Sequence, residues 1–131
     1  MERTTTPVGD RLGEAYVEAV VSGDTDRLRG LLADDVDFRA VTPRRAWEAT
    51  TPADVLDIVL GHWFTPGDGP RELVKSTRDR FADRERVDYR MLVHGPDGDT
   101  LVEQTAYYTV RDGRIGWMRV ACSGFRPVDA G

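Results

Sequence analysis

The chain has 131 residues, which is enough for one domain with a hydrophobic core and too few for two. It is 40% hydrophobic and 31% charged, a composition typical of globular rather than disordered proteins. Its 18 basic side chains are outnumbered by 23 acidic ones, giving a net charge of −5, and this excess argues against a nucleic-acid-binding protein.

The single cysteine, Cys122, excludes an intramolecular disulfide and a metal site built from cysteines. Residues 1–10 lack the apolar segment of a signal peptide, and no apolar run approaches the ~20 residues needed to cross a bilayer. We therefore expect a soluble, cytoplasmic protein that does not contact a membrane.

The N-terminal part predicts two helices after a polar tail. We expect residues 1–9 to form a flexible tail. From Asp10 on, apolar residues recur with the spacing of an amphipathic helix: Leu12, Tyr16, Ala19 and Val20. Gly23 is suited to end this helix, and Asp24 is suited to cap a second, short helix that should end near Ala33.

A strand follows the second helix. Asp34 and Asp35 predict a turn into a strand over residues 36–42, whose apolar face carries Phe38 and Ala40. Residues 43–50 give no clear assignment.

A third helix should begin at Thr51 and Pro52, which are suited to the N-cap and the first helical position. Apolar residues cover most of its circumference as far as Phe64, so it should be buried on two sides. Residues 66–70, rich in proline and glycine, should end it.

The remainder predicts a meander of antiparallel strands over about residues 72–126. The predicted strands are 73–82, 87–94, 101–110 and 115–125, joined by turns at 83–84, 95–99 and 112–113. Helices first and hairpin-linked strands afterwards are typical of an α+β domain.

The order of these elements, with the turn at residues 32–36, resembles that of the nuclear transport factor two-like superfamily. This superfamily includes ketosteroid isomerase, scytalone dehydratase, limonene epoxide hydrolase and small polyketide cyclases. The resemblance covers about residues 10–126, and residues 37–43, 103–108 and 122–127 also resemble actinobacterial members. It implies one domain over residues 10–127, with residues 128–131 as a second tail.

The fold that the resemblance implies is a cone-shaped, curved antiparallel sheet wrapped by three N-terminal helices. Such a cone normally encloses one apolar pocket and usually dimerises through the outer face of its sheet. Because the fold hosts enzymes and non-enzymes alike, it does not by itself assign an activity.

The site of ketosteroid isomerase contains a tyrosine on helix one, an aspartate base on the first strand and a protonated aspartic acid on a later strand. The resemblance places Tyr16 at the tyrosine, Ala40 at the base and Ala106 near the third position. Only one of the three polar groups is therefore present, and ketosteroid isomerisation is not expected.

Two residues are candidates for catalysis. Tyr16 could donate a hydrogen bond to a carbonyl or a developing oxyanion, and its alternative is a core tyrosine bonded to the backbone. His62 could act as a general base near neutral pH, and its alternative is a core or interface histidine. His94 precedes a hairpin and should be exposed. The two histidines lack ligand spacing, so neither a metal site nor a cofactor is predicted.

The alternation of strand 101–110 points Gln104 into the cone and Glu103 outward. A shift of one residue would reverse this and make Glu103 an inward carboxylate suited to be a general base. Cys122 should be a small buried side chain, because a nucleophilic thiol needs a nearby base. The residues predicted to line the pocket share an inward orientation: Phe38, Ala40, Val59, Trp63, Tyr89, Met91, Gln104, Ala106, Tyr108, Met118 and Cys122.

Two functions fit these patterns. The first is a pocket protein for a small apolar metabolite with a carbonyl or hydroxyl group, with an isomerase, dehydratase or cyclase step as its catalytic form. The second is a non-catalytic dimeric module for ligand binding or interaction, with Tyr107 and Trp117 on the outer face. An epoxide-hydrolase-like triad would need Asp37 or Glu103 and Arg39 inside the cone, and the alternation places Asp37 and Arg39 outside.

Overall fold

The computed structural model describes residues 8–65 and 70–128. Three helical segments are present, and the third continues into a π-helical turn: α1 (Val8–Ser22), α2 (Thr25–Gly30), α3 (Pro52–Ile58) and the π turn (Val59–Trp63). The strands are β1 (Leu32–Thr42), β2 (Arg45–Ala49), β3 (Arg71–Phe81), β4 (Arg84–Gly95), β5 (Gly98–Arg111), β6 (Arg114–Cys122) and β7 (Arg126–Pro127). Within the described ranges, no helix is long and apolar enough to span a bilayer.

The strands form one sheet in the order β2-β1-β6-β5-β4-β3, with β7 paired to β5. The four strands β3 to β6 are the predicted antiparallel meander. Helix α1 packs on β3, β4 and β5, and α3 packs on β1 and β2, so the helices wrap one face of the sheet. The predicted α+β cone is therefore confirmed.

Both predicted helix N-caps are confirmed. The side chain of Asp24 accepts a hydrogen bond from the Arg27 N–H at 3.0 Å, which fixes the start of α2. Thr51 Oγ1 accepts from the Asp54 N–H at 3.2 Å, with Pro52 in the first turn of α3. Helix α1 begins at Val8, two residues before the predicted start.

The turn predicted at Asp34 and Asp35 is wrong, because both residues lie inside β1. Helix α2 ends at Gly30 rather than near Ala33, and β1 already begins at Leu32 by pairing in parallel with Ile115 of β6. The register shifts between Leu32 and Asp37, which accommodates the two exposed aspartates as an irregularity of the strand. Parallel pairing between residues at least 80 positions apart leaves no local sequence pattern.

Residues 43–50, which the sequence left unassigned, contain β2. Arg44 adopts a left-handed conformation, with φ 73°, and closes a tight hairpin between β1 and β2. The helix-ending segment predicted at 66–70 lies mostly outside the described residues. The same is true of most of the two predicted tails.

The third helix does not continue regularly to Phe64. The Phe64 N–H donates to Val59 O at 2.9 Å, a hydrogen bond between residues five apart that defines a π-helical turn. The wider turn changes the direction of the side chains that follow. It leaves His62 exposed and directs Trp63 into the interior.

His94, expected to be exposed, is part of a cluster that joins three strands. Its Nε2 lies 3.3 Å from Glu72 Oε1 of β3, and its Nδ1 lies 3.3 Å from Asp99 Oδ1 of β5. The hydrogen bond with Glu72 is the main cause of a raised pKa of His94, and Asp99 acts in the same direction. Protonated His94 therefore ties the start of β3 to the hairpin that joins β4 and β5.

A raised folded-state pKa means that this stabilisation is complete below the unfolded pKa of histidine and is lost as pH rises through the folded pKa. We expect His94→Gln to lower the melting temperature more at about pH 5.5 than at about pH 8.5, on either side of that transition. Glu72→Gln is the matched control and should reduce the pH dependence without abolishing it. Equal effects of His94→Gln at both pH values would contradict the role given to this cluster.

Candidate functional site

Three polar side chains meet in the apolar interior of the cone, and we call them the polar cluster: Tyr16, Tyr89 and Gln104. Gln104 lies opposite Tyr89 across the β4–β5 pairing, and Tyr89 Oη donates to Gln104 Oε1 at 2.5 Å. Tyr16 reaches them from the buried face of α1, with its ring edge-to-face on that of Tyr89 and 6.0 Å between centroids. None of the three is more than 1% exposed.

Three buried polar atoms have no hydrogen-bond partner among the described residues: Tyr16 Oη, Gln104 Nε2 and Trp63 Nε1. Most buried polar groups in folded proteins are paired, and leaving one unpaired costs about 1–3 kcal/mol. The amide and indole nitrogens are donors only, whereas a hydroxyl can donate or accept. The interior therefore presents unpaired donors, which are complementary to an acceptor oxygen.

The two tyrosines of the polar cluster stay protonated at neutral pH. Burial raises the pKa of Tyr16 to about 12, with the Tyr89 hydroxyl acting in the opposite direction. Burial, together with the neighbouring Tyr16, holds the pKa of Tyr89 well above its usual value. Because the single Tyr89 proton is directed at Gln104, the Tyr16 hydroxyl is the one of the two without a hydrogen-bond partner among the described residues.

Trp63 is buried beside two depressions of the surface. Its ring packs against Phe38 and Trp47, with centroids 6.2 Å and 6.0 Å away. Trp63, His62 and Phe125 line two adjoining surface depressions of about 430 and 410 Å³, which we call the mouth depressions.

Cys122 lies between a mouth depression and the polar cluster. It lines the depression of about 430 Å³ and pairs across β5–β6 with Gln104. Its Sγ accepts a hydrogen bond from the Gly124 N–H at 3.3 Å. The thiol is half-buried rather than fully enclosed.

The structure places the other predicted pocket residues in the interior. Apart from Cys122, each is at most 5% exposed. They are Phe38, Ala40, Val59, Trp63, Tyr89, Met91, Gln104, Ala106, Tyr108 and Met118. The two alanines, Ala40 and Ala106, point inward at the positions where the resemblance had called for acids.

His62 lies at the mouth, apart from the polar cluster. Its side chain is 46% exposed, and its ring meets Trp47 edge-to-face with 5.3 Å between centroids. Its Nδ1 lies 2.9 Å from the backbone oxygen of Asp57, and since a carbonyl only accepts, Nδ1 donates. The neutral ring therefore keeps its lone pair on Nε2. Of the two catalytic candidates, only Tyr16 joins the polar cluster.

The carboxylates considered from the sequence face outward. Glu103 forms an ion pair with Arg90 at 2.7 Å, and Asp37 forms one with Arg119 at 3.2 Å, both on the outer face of the sheet. Arg39 is also exposed. An epoxide-hydrolase-like triad of these residues is therefore not assembled inside the cone. Among residues 8–65 and 70–128, no three His, Cys, Asp or Glu side chains are grouped to hold a metal ion.

One inward carboxylate, Glu85, was missed from the sequence. It is 8% exposed, pairs with Arg80 and lies opposite Tyr108 in the β4–β5 register. Its place at an even spacing before Val87 and Tyr89 was the signal that could have found it. The unpaired indole N–H of Trp63 was also missed, because the π turn that aims it inward follows no simple sequence rule.

A family model of the SnoaL-like domain matches residues 14–117. A candidate isomerase from Bacillus subtilis has a similar structure, with a TM-score of 0.73 at 14% identity over 88% of this chain and 86% of that one. A candidate SnoaL-like polyketide cyclase from Shewanella putrefaciens CN-32 has a TM-score of 0.69 at 13% identity, covering 91% of this chain and 92% of its own.

An LEH-like epoxide hydrolase from M. tuberculosis has a TM-score of 0.68 at 16% identity, covering 88% of this chain and 83% of its own. Identities this low support the fold alone. No curated protein matches the sequence significantly. The family match and these structures confirm the resemblance to the nuclear transport factor two-like superfamily. The chain belongs to the SnoaL-like domain family.

Proposed function

We propose that this domain binds a small, largely apolar molecule with a carbonyl or hydroxyl oxygen inside its cone. The observation that carries the proposal is the set of three buried, unpaired polar atoms on Tyr16, Gln104 and Trp63. A core that served packing alone would be more stable with these atoms paired or removed. Apolar walls with a few convergent polar groups are typical of small-molecule sites.

In its catalytic form, the site would carry out an isomerase, dehydratase or cyclase step. Tyr16 would polarise the ligand oxygen, because its neutral hydroxyl is the free donor of the polar cluster. Gln104 would position the same oxygen, since an amide donates but does not take up a proton near neutral pH. His62, with its Nε2 lone pair at the mouth, would accept a proton from the ligand.

The alternative is a non-catalytic dimeric module. The close packing of large side chains inside the cone favours it, since Tyr16, Tyr89, Tyr108 and Phe38 are all under 2% exposed. On the outer face, an apolar groove of about 390 Å³ includes Val41, which is 54% exposed.

The outer face of the sheet is less apolar at Trp117 than the sequence suggested. The guanidinium groups of Arg84 and Arg119 lie 4.3 and 4.5 Å from the centre of the Trp117 ring. A homodimer would therefore centre on the groove beside Val41 and Tyr107 rather than on Trp117. Dimerisation through this face and a cytoplasmic location are part of the proposal.

Binding can be tested with 1-tetralone and 1-tetralol, two small bicyclic probes that carry one ketone or one hydroxyl group. We expect both to raise the melting temperature of the wild-type protein. Tyr16→Phe should weaken binding about tenfold, because one hydrogen bond to the bound oxygen is lost. Tyr107→Phe removes a hydroxyl from the outer face and is the matched control. Equal affinities in wild type and Tyr16→Phe would refute the role of Tyr16.

The same samples distinguish the catalytic from the non-catalytic form. In D2O, a base that removes a C2 proton of 1-tetralone sends the electron pair to the carbonyl oxygen, and a deuteron then returns to C2. Exchange that is accelerated by the wild-type protein and lost in Tyr16→Phe and His62→Gln would support the enzyme. Binding without accelerated exchange would support the module instead.

A further inference from the structure

Trp63 is the indole whose direction depends on the π turn. The ring is 5% exposed and lies between Phe38, Trp47 and the mouth depressions, and its Nε1 has no hydrogen-bond partner among the described residues. Trp47, at the same mouth, differs from Trp63 because its indole N–H has a hydrogen-bond partner. Its Nε1 donates to Thr42 Oγ1 at 2.8 Å. An unpaired indole is therefore specific to Trp63 and not common to tryptophans at this end of the cone.

The interior around Trp63 offers donors and few acceptors. Gln104 Oε1 already accepts from Tyr89, so the free part of this amide is its donor Nε2. Among the described side chains, the buried polar or charged residues are Glu85 and Gln104, so the interior provides no buried cation. A ligand carboxylate would lose its hydration there without a buried cation to offset its charge. In the part of the chain that the structure describes, Tyr16 Oη is the one buried side-chain acceptor atom that forms no hydrogen bond.

We propose that Trp63 is a ligand-binding residue, and that with Gln104 it selects a neutral ligand whose buried part carries acceptor oxygens, such as a ketone, ester or ether. The inference rests on the proposed function. It narrows the ligand proposed there, which carries a carbonyl or hydroxyl oxygen, to a neutral molecule whose buried oxygen accepts hydrogen bonds. The π turn then has a role, because it places the Trp63 side chain in the interior and leaves the neighbouring His62 exposed. Turns of this kind occur frequently at functional sites.

The test uses the indole N–H signals of the three tryptophans in proton–nitrogen correlation spectra of the wild-type protein. Single Trp47→Phe and Trp117→Phe variants identify two signals, and the remaining one belongs to Trp63. We expect 1-tetralone to move the Trp63 signal downfield in a saturable way, while the already bonded Trp47 N–H stays in place. Tetralin, which has the same shape without the oxygen, should not move the Trp63 signal downfield.

Affinities give an independent readout. Trp63→Phe should weaken binding of 1-tetralone about tenfold, the loss of one hydrogen bond, and leave binding of tetralin unchanged. Tetrahydro-1-naphthoate, a carboxylate of similar size, should bind at least tenfold more weakly than 1-tetralone. The spectra use the unmodified protein, so they test whether Trp63 binds the ligand even if Trp63→Phe is too unstable to measure.

Two results would overturn this inference and leave the proposed function intact. One is 1-tetralone binding that depends on Tyr16 but does not move the Trp63 signal. The other is binding of the carboxylate as tight as that of 1-tetralone, with tetralin bound more weakly than both. If none of these probes, including 1-tetralol, binds the protein, both the inference and the proposed function are wrong.

Discussion

Tyr89→Phe is expected to lower the free energy of unfolding by about 2 kcal/mol, whereas Tyr16→Phe should leave it unchanged or raise it by up to about 1 kcal/mol. The two changes are chemically identical and both sites are buried, with at most 1% exposure. They differ in hydrogen bonding. Tyr89 Oη donates to Gln104 Oε1, and Tyr16 Oη has no partner among the described residues.

The two substitutions are expected to change the free energy of unfolding differently because they leave different buried groups unpaired. Phenylalanine at position 89 leaves the buried Gln104 Oε1 without its donor, and an orphaned buried acceptor costs about 1–3 kcal/mol. Phenylalanine at position 16 breaks no hydrogen bond to the described residues and removes a hydroxyl that folding had already taken out of water. Urea unfolding followed by circular dichroism measures both variants, with Tyr107→Phe as the outer-face control.

The sign of the Tyr16→Phe effect bears directly on function. A protein that keeps an unpaired hydroxyl at some cost in stability is expected to use it, because functional sites often reduce stability. Destabilisation by Tyr16→Phe comparable with that of Tyr89→Phe would show that the Tyr16 hydroxyl is structurally bonded. Tyr16 would then be a core tyrosine, which is the alternative to its catalytic role.

The sheet was predictable because its strands alternate cleanly. In β4 and β5 every second side chain is buried, so the period of two in the sequence was enough to place Gln104 inside and Glu103 outside. The turn at Asp112 and Gly113 has φ values of 55° and 78°, and this pair of residues was recognisable as a hairpin turn for that reason.

The parts that were not predictable depend on contacts between distant segments. Strand β1 extends back to Leu32 only because β6 pairs with it in parallel, and β2 is a short edge strand held by β1. The hydrogen bonding within the polar cluster was not predictable for the same reason. Inward positions for Tyr16 and Gln104 followed from local periodicity, but the hydrogen bond that occupies Tyr89 and leaves Tyr16 free depends on how α1 lies across the sheet.

The placement of α1 can be tested at Gly13, where the helix touches β5. A Cβ atom at this position would lie 2.6 Å from Tyr108 Oη, closer than nonbonded atoms approach. Overpacking of a core costs about 1–3 kcal/mol, and replacing a helical glycine with alanine recovers about 1 kcal/mol. We expect Gly13→Ala to lower the free energy of unfolding by up to about 2 kcal/mol, the net of these two effects.

A double-mutant cycle isolates this contact. Tyr108→Phe removes the oxygen that the new methyl group would meet, so Gly13→Ala should be neutral or stabilising in that background. Gly30→Ala is the matched control, because a Cβ there meets nothing within 4 Å. An equal loss of stability from Gly13→Ala with and without the Tyr108 hydroxyl would show that the cost has another origin.

The same variant connects packing to the site. Gly13 and Tyr16 lie one turn apart on the buried face of α1, so a helix pushed away from Tyr108 carries the Tyr16 hydroxyl away from the polar cluster. Gly13→Ala should therefore weaken 1-tetralone binding as well as stability, and both losses should be smaller when Gly13→Ala is made in the Tyr108→Phe background. Restored stability without restored binding would mean that Tyr108 itself contacts the ligand, and that the site extends deeper into the cone than Tyr16.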